Sequence, residues 1–396
     1  MSSRRLSYAE RLKRLGRLLQ HLRPQPLPLL HRRNRVALFP DGTGFFRALF
    51  AAIRSARHSI LLEYYIVRGD ATGAAFGKEL AAAAARGVRV VLIYDFIGSF
   101  DTPASYFREL ARQGVELLPF NPPQFRRGFG WLDKRDHRKM AIIDGYLAFL
   151  GGMNIGDEYA GRAAARFTFR DLGFSICGSA VQELTENFRE SWRHERNEQL
   201  NLPALADAVD RCHGSAGVSL VSGGPHQRNS FIRNAFRVNI AAATEELLIA
   251  SPYFIPGPRI IRGVLRAARR GVRVRLLLPA RSDVPLVLLP GRSSYGTLLR
   301  SGVEIYELER EILHAKVMVI DGERTVIGSA NLDQRSFHRN FEINCIIDSS
   351  NFGGRIRRLL EGEIAAASRV ELDVHERRGM LIRVMEQVIG LFAWFL

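Results

Sequence analysis

The sequence predicts an α/β fold made of two similar domains, each a mostly parallel sheet flanked by helices. Two observations lead to this expectation. Apolar segments of strand type alternate with helical segments, which is typical of parallel β-α-β units. The same order of segments then occurs twice along 396 residues, a length that suits two domains better than one core. Apolar residues make up 46% of the chain, so each half can bury a core of its own.

The two halves show the same four elements in the same order. Helix, strand, helix and strand are predicted in the first half near 45–56, 59–66, 81–85 and 90–94. In the second half they recur near 229–244, 247–250, before 270, and at 275–278. The second helix of each half ends at the string Arg-Gly-Val-Arg-Val. A glycine after a helix is a common C-cap, so the string alone is weak, and the matching order is what predicts a duplication.

This order divides the chain into a first domain over 36–205 and a second over 216–370, joined by a polar, proline-containing segment. Residues 1–35 form a basic amphipathic segment that suits a membrane-surface helix and a helix packed on the body of the protein equally well. Residues 371–396 are apolar but carry Arg383, Glu386 and Gln387. We therefore expect this terminal segment to lie on a membrane surface rather than to cross the membrane.

Charge and cysteine content limit the partners and the cellular compartment that we expect for the protein. The formal net charge is +17, which predicts attraction to polyanions such as nucleic acid or an anionic membrane. A well-solvated, arginine-rich surface explains the charge equally well. Cys177, Cys212 and Cys345 are far apart in the sequence, which argues against a disulfide framework and a zinc site and fits a reducing, cytoplasmic setting.

Each half ends with the pattern H-x-K-x4-D-x6-G-[GS]-x-N. The chain has five lysines, and two of them occupy the same position of this pattern. Such a repetition is very unlikely to arise by chance. The candidate site residues are His137, Lys139, Asp144 and Asn154 in the first copy, and His314, Lys316, Asp321, Ser329 and Asn331 in the second.

The spacing of this pattern predicts its geometry and its chemistry. In an extended segment, a histidine and a lysine two positions apart point to the same face. The strand then turns at an Asp-Gly dipeptide, so the returning segment brings glycine and Asn154 or Asn331 back beside the histidine. Lysine, asparagine and the Ser329 hydroxyl can bind the oxygens of a phosphodiester, and imidazole can act as nucleophile or acid. Two facing motifs would supply both roles around one phosphorus atom.

A metal site is the competing chemistry for the same residues. Asp144 and Asp321 could be imagined as ligands beside the histidines. Both aspartates, however, lie at the far end of their strands, and the nearby lysines would repel a cation. We therefore expect no metal and no other cofactor, and the residues themselves give the aspartates a role in the turns.

The two motifs resemble those of the phospholipase D superfamily, over about residues 36–370. Several neighbouring strings are similar to bacterial cardiolipin synthases: Gly-Gly-Met-Asn-Ile-Gly-Asp-Glu-Tyr at 151–159, Pro-Tyr-Phe at 252–254, Ser-Asp-Val-Pro-Leu-Val at 282–287, Gly-Ser-Ala-Asn-Leu-Asp-Gln-Arg-Ser at 328–336 and Asn-Phe-Glu-Ile-Asn at 340–344. The resemblance implies a pseudo-twofold enzyme with one active site between its halves.

The resemblance also implies roles for the residues of the motifs. His137 would attack phosphorus and form a phosphohistidine, and His314 would protonate the departing alcohol. The phosphate oxygens would be held by Lys139, Lys316, Asn154 and Asn331. In this family Asp144 and Asp321 would orient or stabilise the histidines, in contrast to the turn role that the residues alone suggest.

The reaction implied is the transfer of a phosphatidyl group to phosphatidylglycerol, with phosphatidylethanolamine as a possible second phospholipid, to form cardiolipin. The absence of spanning segments resembles a short, peripheral form on the cytoplasmic face of the bacterial inner membrane. Hydrolysis, with water as acceptor, remains open because the chemistry is the same. Nuclease activity is also known in the superfamily, but the apolar C-terminus and the aromatic, basic segment 125–132 fit a bilayer better than nucleic acid.

Overall fold

The structure is a computed structural model that describes residues 28–123, 133–162, 165, 167–202, 212–224, 230–379, 385–386 and 389. The predicted N-terminal helix, the aromatic segment 125–132, most of the link between the halves and most of the apolar C-terminal segment lie outside these residues. Among the described residues, the helices lack the combination of length and hydropathy that a membrane span needs.

Strands alternate with helices through both halves. The strands are β1 Leu30–Phe39, β2 Ser59–Tyr64, β3 Arg89–Asp95, β4 Glu116–Phe120, β5 Lys139–Ile143, β6 Leu147–Gly151, β7 Phe169–Arg170, β8 Gly173–Cys177, β9 Ala216–Gly223, β10 Glu246–Ala250, β11 Phe254–Ile255, β12 Arg273–Pro279, β13 Glu304–Leu308, β14 Ile312–Leu313, β15 Val317–Ile320, β16 Arg324–Gly328, β17 Leu332–Asp333, β18 Glu342–Asp348 and β19 Ser368–Arg369.

The helices are α1 Gly42–Ser55, α2 Ala71–Ala85, α3 Ala104–Arg112, α4 Ala180–Arg196, α5 Phe231–Ala242, α6 Gly257–Arg269, α7 Leu288–Arg292, α8 Tyr295–Arg300, α9 Gln334–His338, α10 Ser350–Ala365 and α11 Leu372–Glu376, with a 3₁₀ turn at Pro285–Val287. Side chains of Asp41, Asp70, Ser230 and Ser349 cap the N-termini of α1, α2, α5 and α10.

One sheet runs through both halves in the order β19-β13-β12-β10-β15-β16-β18-β9-β1-β8-β6-β5-β2-β3-β4. Read outward from the central β9–β1 pair, the two halves have the same strand sequence: β1, β8, β6, β5, β2, β3 and β4 match β9, β18, β16, β15, β10, β12 and β13. The α/β class and the duplication are therefore confirmed. The halves share one sheet, so the two His/Lys motifs are held in a fixed relation to each other.

The expectation of a mostly parallel sheet is wrong, because most neighbours in this sheet are antiparallel. The parallel pairs are β2–β3, β3–β4, β10–β12 and β12–β13, where the predicted β-α-β units occur. Each half then returns through the hairpins β5–β6 and β15–β16, whose tight turns force an antiparallel arrangement.

Residues of the strands alternate between two cores. On one face, α1, α2 and α3 cover the first half and α5, α6 and α8 cover the second. On the other face, α4 and α10 pack against strands from both halves. This shared core, which includes Phe188 and Ile356, further fixes the two halves against each other.

Two further expectations need correction. Strand β1 begins at Leu30, inside the segment predicted to precede the first domain, and it pairs with both β8 and β9. Cys177 and Cys212 form a disulfide, which links the end of β8 to the segment before β9. Their separation of 35 residues concealed this pairing, because only the fold brings them together. Cys345 is free and buried, as expected of a core residue.

The Asp-Gly dipeptides form the predicted hairpin turns. Asp144 and Gly145 have φ of 48° and 65°, and Asp321 and Gly322 have 51° and 68°, so each pair lies in the left-handed region that Asp and Gly tolerate best. One more residue completes each loop, because Ile143 pairs with Leu147 and Ile320 with Arg324. The Asp144 carboxylate accepts hydrogen bonds from the backbone N–H groups of Arg57, His58 and Ser59. It therefore ties the hairpin to the start of β2.

We predict that Asp144→Ala destabilises the protein by about 2–4 kcal/mol, because it leaves three N–H donors without their acceptor at a left-handed position. Asp144→Asn keeps one acceptor and tolerates that conformation, so we expect a loss nearer to 1 kcal/mol. Urea unfolding of both variants measures the difference. Equal stability of the wild type and Asp144→Ala would contradict this role.

Candidate active site between the two halves

The two motifs lie at equivalent ends of the sheet. Lys139 is the register partner of Tyr64 at the carboxyl end of β2, and Val317, next to Lys316, is the partner of Ala250 at the carboxyl end of β10. The charge of Lys316 lowers the pKa of both His137 and Lys139, which requires the second motif to lie close to the first. The structure thus brings both His/Lys pairs to one centre.

The backbone of each motif is bound to the opposite half. The N–H of His137 donates to the carbonyl of Phe341 at 2.9 Å, and the N–H of His314 donates to the carbonyl of Arg170 at 2.8 Å. Strand β14, just before His314, also pairs with β7 of the first half. These reciprocal bonds fix the position of each histidine relative to the other.

A carboxylate from the opposite half also holds each imidazole ring. The Nδ1 atom of His137 lies 3.0 Å and 3.1 Å from the two oxygens of Glu342, and Nδ1 of His314 lies 2.6 Å from Asp171. Such a contact favours the proton on Nδ1 and leaves Nε2 free to face a substrate.

These two carboxylates occupy equivalent positions of the duplicated fold. Gly151 pairs with Gly173, and Asp171 stands two residues before Gly173. Gly328 pairs with Asn344, and Glu342 stands two residues before Asn344. The reciprocal arrangement therefore follows from the sheet register.

The position of the motif that is glycine in one copy and serine in the other lies against the carboxylate that contacts the histidine. A side chain at Gly152 would place its Cβ 2.4 Å from a carboxylate oxygen of Asp171, so only glycine fits. In the other half, the Ser329 hydroxyl donates to Glu342 at 2.5 Å and accepts from the N–H of Ile343. The hydroxyl proton of Ser329 is thus directed at Glu342, and its phosphate-binding role stays a prediction.

Both lysines are buried beside the histidines. The ammonium of Lys139 donates to the backbone carbonyl of His137 at 2.7 Å and lies 5.1 Å from the centre of the Tyr65 ring. The ammonium of Lys316 donates to the carbonyl of His314 and lies 2.8 Å from its Nδ1. The centre thus brings together two lysine side chains and the carboxyl groups of Glu342 and Asp171 before any ligand enters.

Burial and charge shift the pKa values of this centre downward. Burial, together with the charges of Lys139 and Lys316, lowers the pKa of His137 to about 4, although Glu342 acts in the opposite direction. Burial and the nearby Lys316 lower the pKa of Lys139 to about 7. The pKa of His314 is lowered by burial and by Lys316. Near neutral pH, His137 is therefore a neutral imidazole, which is the form that attacks an electrophile.

The two asparagines lie in the buried site but differ in their contacts. Asn154 accepts from the N–H of Ile66 and donates to the Tyr159 hydroxyl, so both ends of its amide are engaged. The Oδ1 atom of Asn331 is buried and lacks a hydrogen-bond partner among the described residues. The amide of Asn154 is therefore engaged at both ends, whereas the carbonyl oxygen of Asn331 awaits a donor.

Asp144 and Asp321 do not take the role that the family resemblance implied. Asp144 lies beyond the far end of β5, about five residues and about 16 Å from the catalytic end. The Asp321 carboxylate accepts from the N–H groups of Thr244, Glu245 and Glu246, at the start of β10. Both aspartates stabilise turns, as the residues alone suggested, and Glu342 and Asp171 contact the histidines instead.

Sequence reasoning missed Asp171 and gave Glu342 no role of its own. The one local sign is that each acid stands at or just before the start of an otherwise apolar strand, Glu342 at β18 and Asp171 before β8, and this does not by itself indicate a histidine partner. Aromatic rings were missed as well. The Tyr65 ring lies 5.1 Å from that of His137, and the Phe169 ring lies 4.6 Å from that of His314.

In the described ranges, His, Cys, Asp and Glu do not gather into a group of three that could hold a metal ion. The positive charge of the centre is supplied by side chains, and its two lysines would oppose a cation at the same position.

Comparison with known proteins identifies relatives over nearly the whole chain. Residues 49–192 and 236–363 match the family model described as "Cardiolipin synthase, PLD-like domain". A protein named cardiolipin synthase from Geobacillus kaustophilus (strain HTA426) is 36% identical over 390 residues, which is 98% of this chain and 77% of the relative. Cardiolipin synthase 2 from Bacillus anthracis is 37% identical over 355 residues, covering 89% and 69%.

Among solved structures, phosphatidylserine synthase from Haemophilus influenzae Rd KW20 has the same fold. It superposes with a TM-score of 0.73 and covers 98% of this chain and 100% of its own, at 13% sequence identity. At that identity the similarity establishes the fold alone.

We predict that an NMR titration gives His137 a pKa near 4. Glu342→Gln should lower this pKa further, since the carboxylate raises it, and Lys139→Met should raise it, since the ammonium lowers it. The exposed Glu323→Gln is the matched control and should leave the value unchanged. A His137 pKa near 6.5, insensitive to Glu342 and Lys139, would contradict the geometry of this centre.

Proposed function

Because the chain belongs to the cardiolipin synthase family with PLD-like domains, we propose that it transfers a phosphatidyl group between phospholipids and forms cardiolipin. The observation that carries the proposal is the pair of buried His/Lys motifs, each held by a carboxylate of the opposite half. Such a centre offers a nucleophile, an acid and two cations to one phosphodiester.

In the first step, Nε2 of His137 attacks the phosphorus of the donor phospholipid. A P–N bond forms, the P–O bond to the headgroup alcohol breaks, and His314 gives its proton to the departing oxygen. In the second step, His314 takes the proton from a hydroxyl of the acceptor. That oxygen then attacks phosphorus, the P–N bond breaks, and the phosphodiester product leaves a neutral His137.

The ammonium groups of the lysines and the Nδ2 amide of Asn331 donate hydrogen bonds to the non-bridging oxygens of the phosphate. Lys139 and Lys316 stabilise the negative charge that develops on these oxygens, and they do so in a buried site where charge interactions are strong. The arriving phosphate also opposes the lowering effect that Lys316 has on His314. Its negative charge raises the pKa of His314 and allows that ring to carry the proton for the leaving group.

The substrates we propose are phosphatidylglycerol as acceptor and either phosphatidylglycerol or phosphatidylethanolamine as donor. The released alcohol is then glycerol or ethanolamine. Since these substrates are membrane lipids, we propose that the protein works as a peripheral enzyme on the cytoplasmic face of the inner membrane.

We predict that the purified protein forms cardiolipin in phosphatidylglycerol vesicles, measured by mass spectrometry of the extracted lipids. His137→Ala should abolish the product, because alanine has no nitrogen that can form the P–N bond of the intermediate. Glu323→Gln, an exposed change of a carboxylate, is the control and should retain full activity.

The products formed distinguish this proposal from its alternatives. A dependence on added phosphatidylethanolamine would identify that lipid as the donor. Phosphatidic acid alone would place the enzyme among hydrolases, and full activity of His137→Ala would refute the assigned nucleophile. If neither lipid product forms, another phosphodiester, such as a nucleic acid, becomes the substrate to test.

We predict that kcat/KM falls above about pH 7, as Lys139 loses its proton and its attraction for the phosphate. On the acid side, kcat/KM should fall only near pH 4, where His137 becomes protonated. Lys139→Arg keeps its charge at all these pH values, so its alkaline decline should shift to higher pH even if the rate is reduced. An unshifted decline in that variant would assign it to another group, such as His314.

A further inference from the structure

Five arginines form a strip along two adjacent helices of the second half. Arg233 and Arg237 lie one turn apart on α5, and Arg259, Arg262 and Arg266 lie on successive turns of α6. The two helices pack side by side against the sheet. We refer to these five residues as the arginine strip.

The strip carries positive charge that the described part of the chain leaves without an acidic partner. In the ranges that the structure covers, none of the five arginines forms an ion pair, whereas arginines elsewhere do, such as Arg273 with Glu304 at 2.8 Å and Arg300 with Glu376 at 2.6 Å. The Nε atom of Arg233 is buried and has no hydrogen-bond partner among the residues that the structure covers. Uncompensated charges of one sign in such proximity attract an external anion.

The charges of the arginines also act on one another. The pKa of Arg237 is lowered by burial and then by the charges of Arg259, Arg262 and Arg266, which reach it from the neighbouring helix. A bound anion would relieve this repulsion along the whole strip at once.

The strip begins beside the active site. Helices α5 and α6 both start at the catalytic end of the sheet, since the strands that follow them, β10 and β12, run back toward that end. A nitrogen of Arg233 lies 2.7 Å from Nε2 of His338, at the end of α9. Helix α9 follows Asn331 of the second motif by only two residues.

Exposed apolar side chains lie on equivalent loops of the two halves. Phe100, after β3, is 71% exposed, and Val284 and Leu286, after β12, are 42% and 62% exposed. Both loops adjoin the site: the Ser99 hydroxyl donates to the backbone carbonyl of Tyr65, whose ring contacts His137.

The second loop approaches the other histidine. Asp283, directly before Val284, acts electrostatically on His314 and on Lys316. Apolar tips therefore flank the centre from both halves, at the same end of the molecule as the start of the arginine strip.

We propose that the arginine strip and these apolar tips form a docking face for a membrane surface rich in anionic phospholipid headgroups. The strip complements the headgroup charge, and the tips enter the apolar boundary below the headgroups. Nucleic acid would match the strip but offers no apolar layer for Phe100 and Leu286. This inference rests on the proposed function, because the docking face would present the active site to phospholipid substrates.

The test measures how the full chain carrying His137→Ala partitions onto vesicles, so that no turnover alters the lipids. Vesicles of phosphatidylcholine alone are compared with vesicles that contain phosphatidylglycerol. The strip variant is R259Q/R262Q/R266Q, made at three exposed positions. The matched control, R54Q/R273Q/R300Q, removes the same charge from exposed arginines near the opposite end of the strands.

We expect strong binding to the phosphatidylglycerol vesicles and weak binding to phosphatidylcholine. Each arginine near an anionic surface contributes about 5-fold, so the strip variant should bind on the order of 100-fold more weakly, and the control should change far less. Leu286→Ser should weaken the binding that persists in high salt, where the arginine attraction is screened.

Equal losses in the strip variant and the control would overturn the proposal, since general charge would then explain the binding. Equal binding to both kinds of vesicle would also overturn it. A strip variant that loses affinity for a DNA duplex but not for vesicles would assign the strip to nucleic acid instead.

Binding and catalysis fail separately in this design. With His137 intact, the strip variant should still act on short-chain phosphatidylglycerol dispersed as monomers. Vesicle binding without any cardiolipin synthesis would refute the proposed function and leave the docking face standing. Cardiolipin synthesis by a protein whose binding ignores the strip would do the reverse.

Discussion

The reciprocal hold of each histidine by the opposite half is the constraint on which the rest of this structure depends. Glu342 of the second half contacts His137, and Asp171 of the first half contacts His314. Neither half by itself contains a complete histidine–carboxylate pair. The arrangement therefore requires the halves to keep one relative position, and the β1–β9 and β7–β14 pairings, together with the shared core, provide it.

Burial gives the centre its chemical character and also makes it costly to form. Two ammonium groups and two carboxylates removed from water destabilise a fold by several kcal/mol per ion unless they are well paired. Lys139 and Lys316 are paired through backbone carbonyls and the nearby acids. The same desolvation keeps the imidazoles neutral. The far end of the sheet, where Asp144 and Asp321 hold the hairpins, supplies stability without contributing to this charge balance.

The parts of the fold that depend on local pattern could be predicted from the sequence, and those that depend on long-range register could not. Period-two spacing placed His137 with Lys139, and the Asp-Gly dipeptides gave the turns. The role of Asp171 depends on which residue of β8 pairs with Gly151, and the antiparallel return of each half likewise depends on strand pairing. No local feature encodes these pairings. The Cys177–Cys212 bond was missed for the same reason, because its partners meet only in the folded chain.

The two halves differ around their histidines, as expected for a reaction in which the two histidines have different roles. Glu342 is one methylene longer than Asp171 and is fixed by Ser329, whereas Asp171 fills the space left by Gly152. His137 thus has a carboxylate alone at Nδ1, which leaves a lone pair on Nε2 for attack. At His314, the Lys316 ammonium shares Nδ1 with Asp171. His137 therefore stays neutral and available for attack, while the protonation of His314 responds to the charge that enters with the substrate. Two copies of one motif could differ in this way only through the residues around them, since the histidines and lysines are identical.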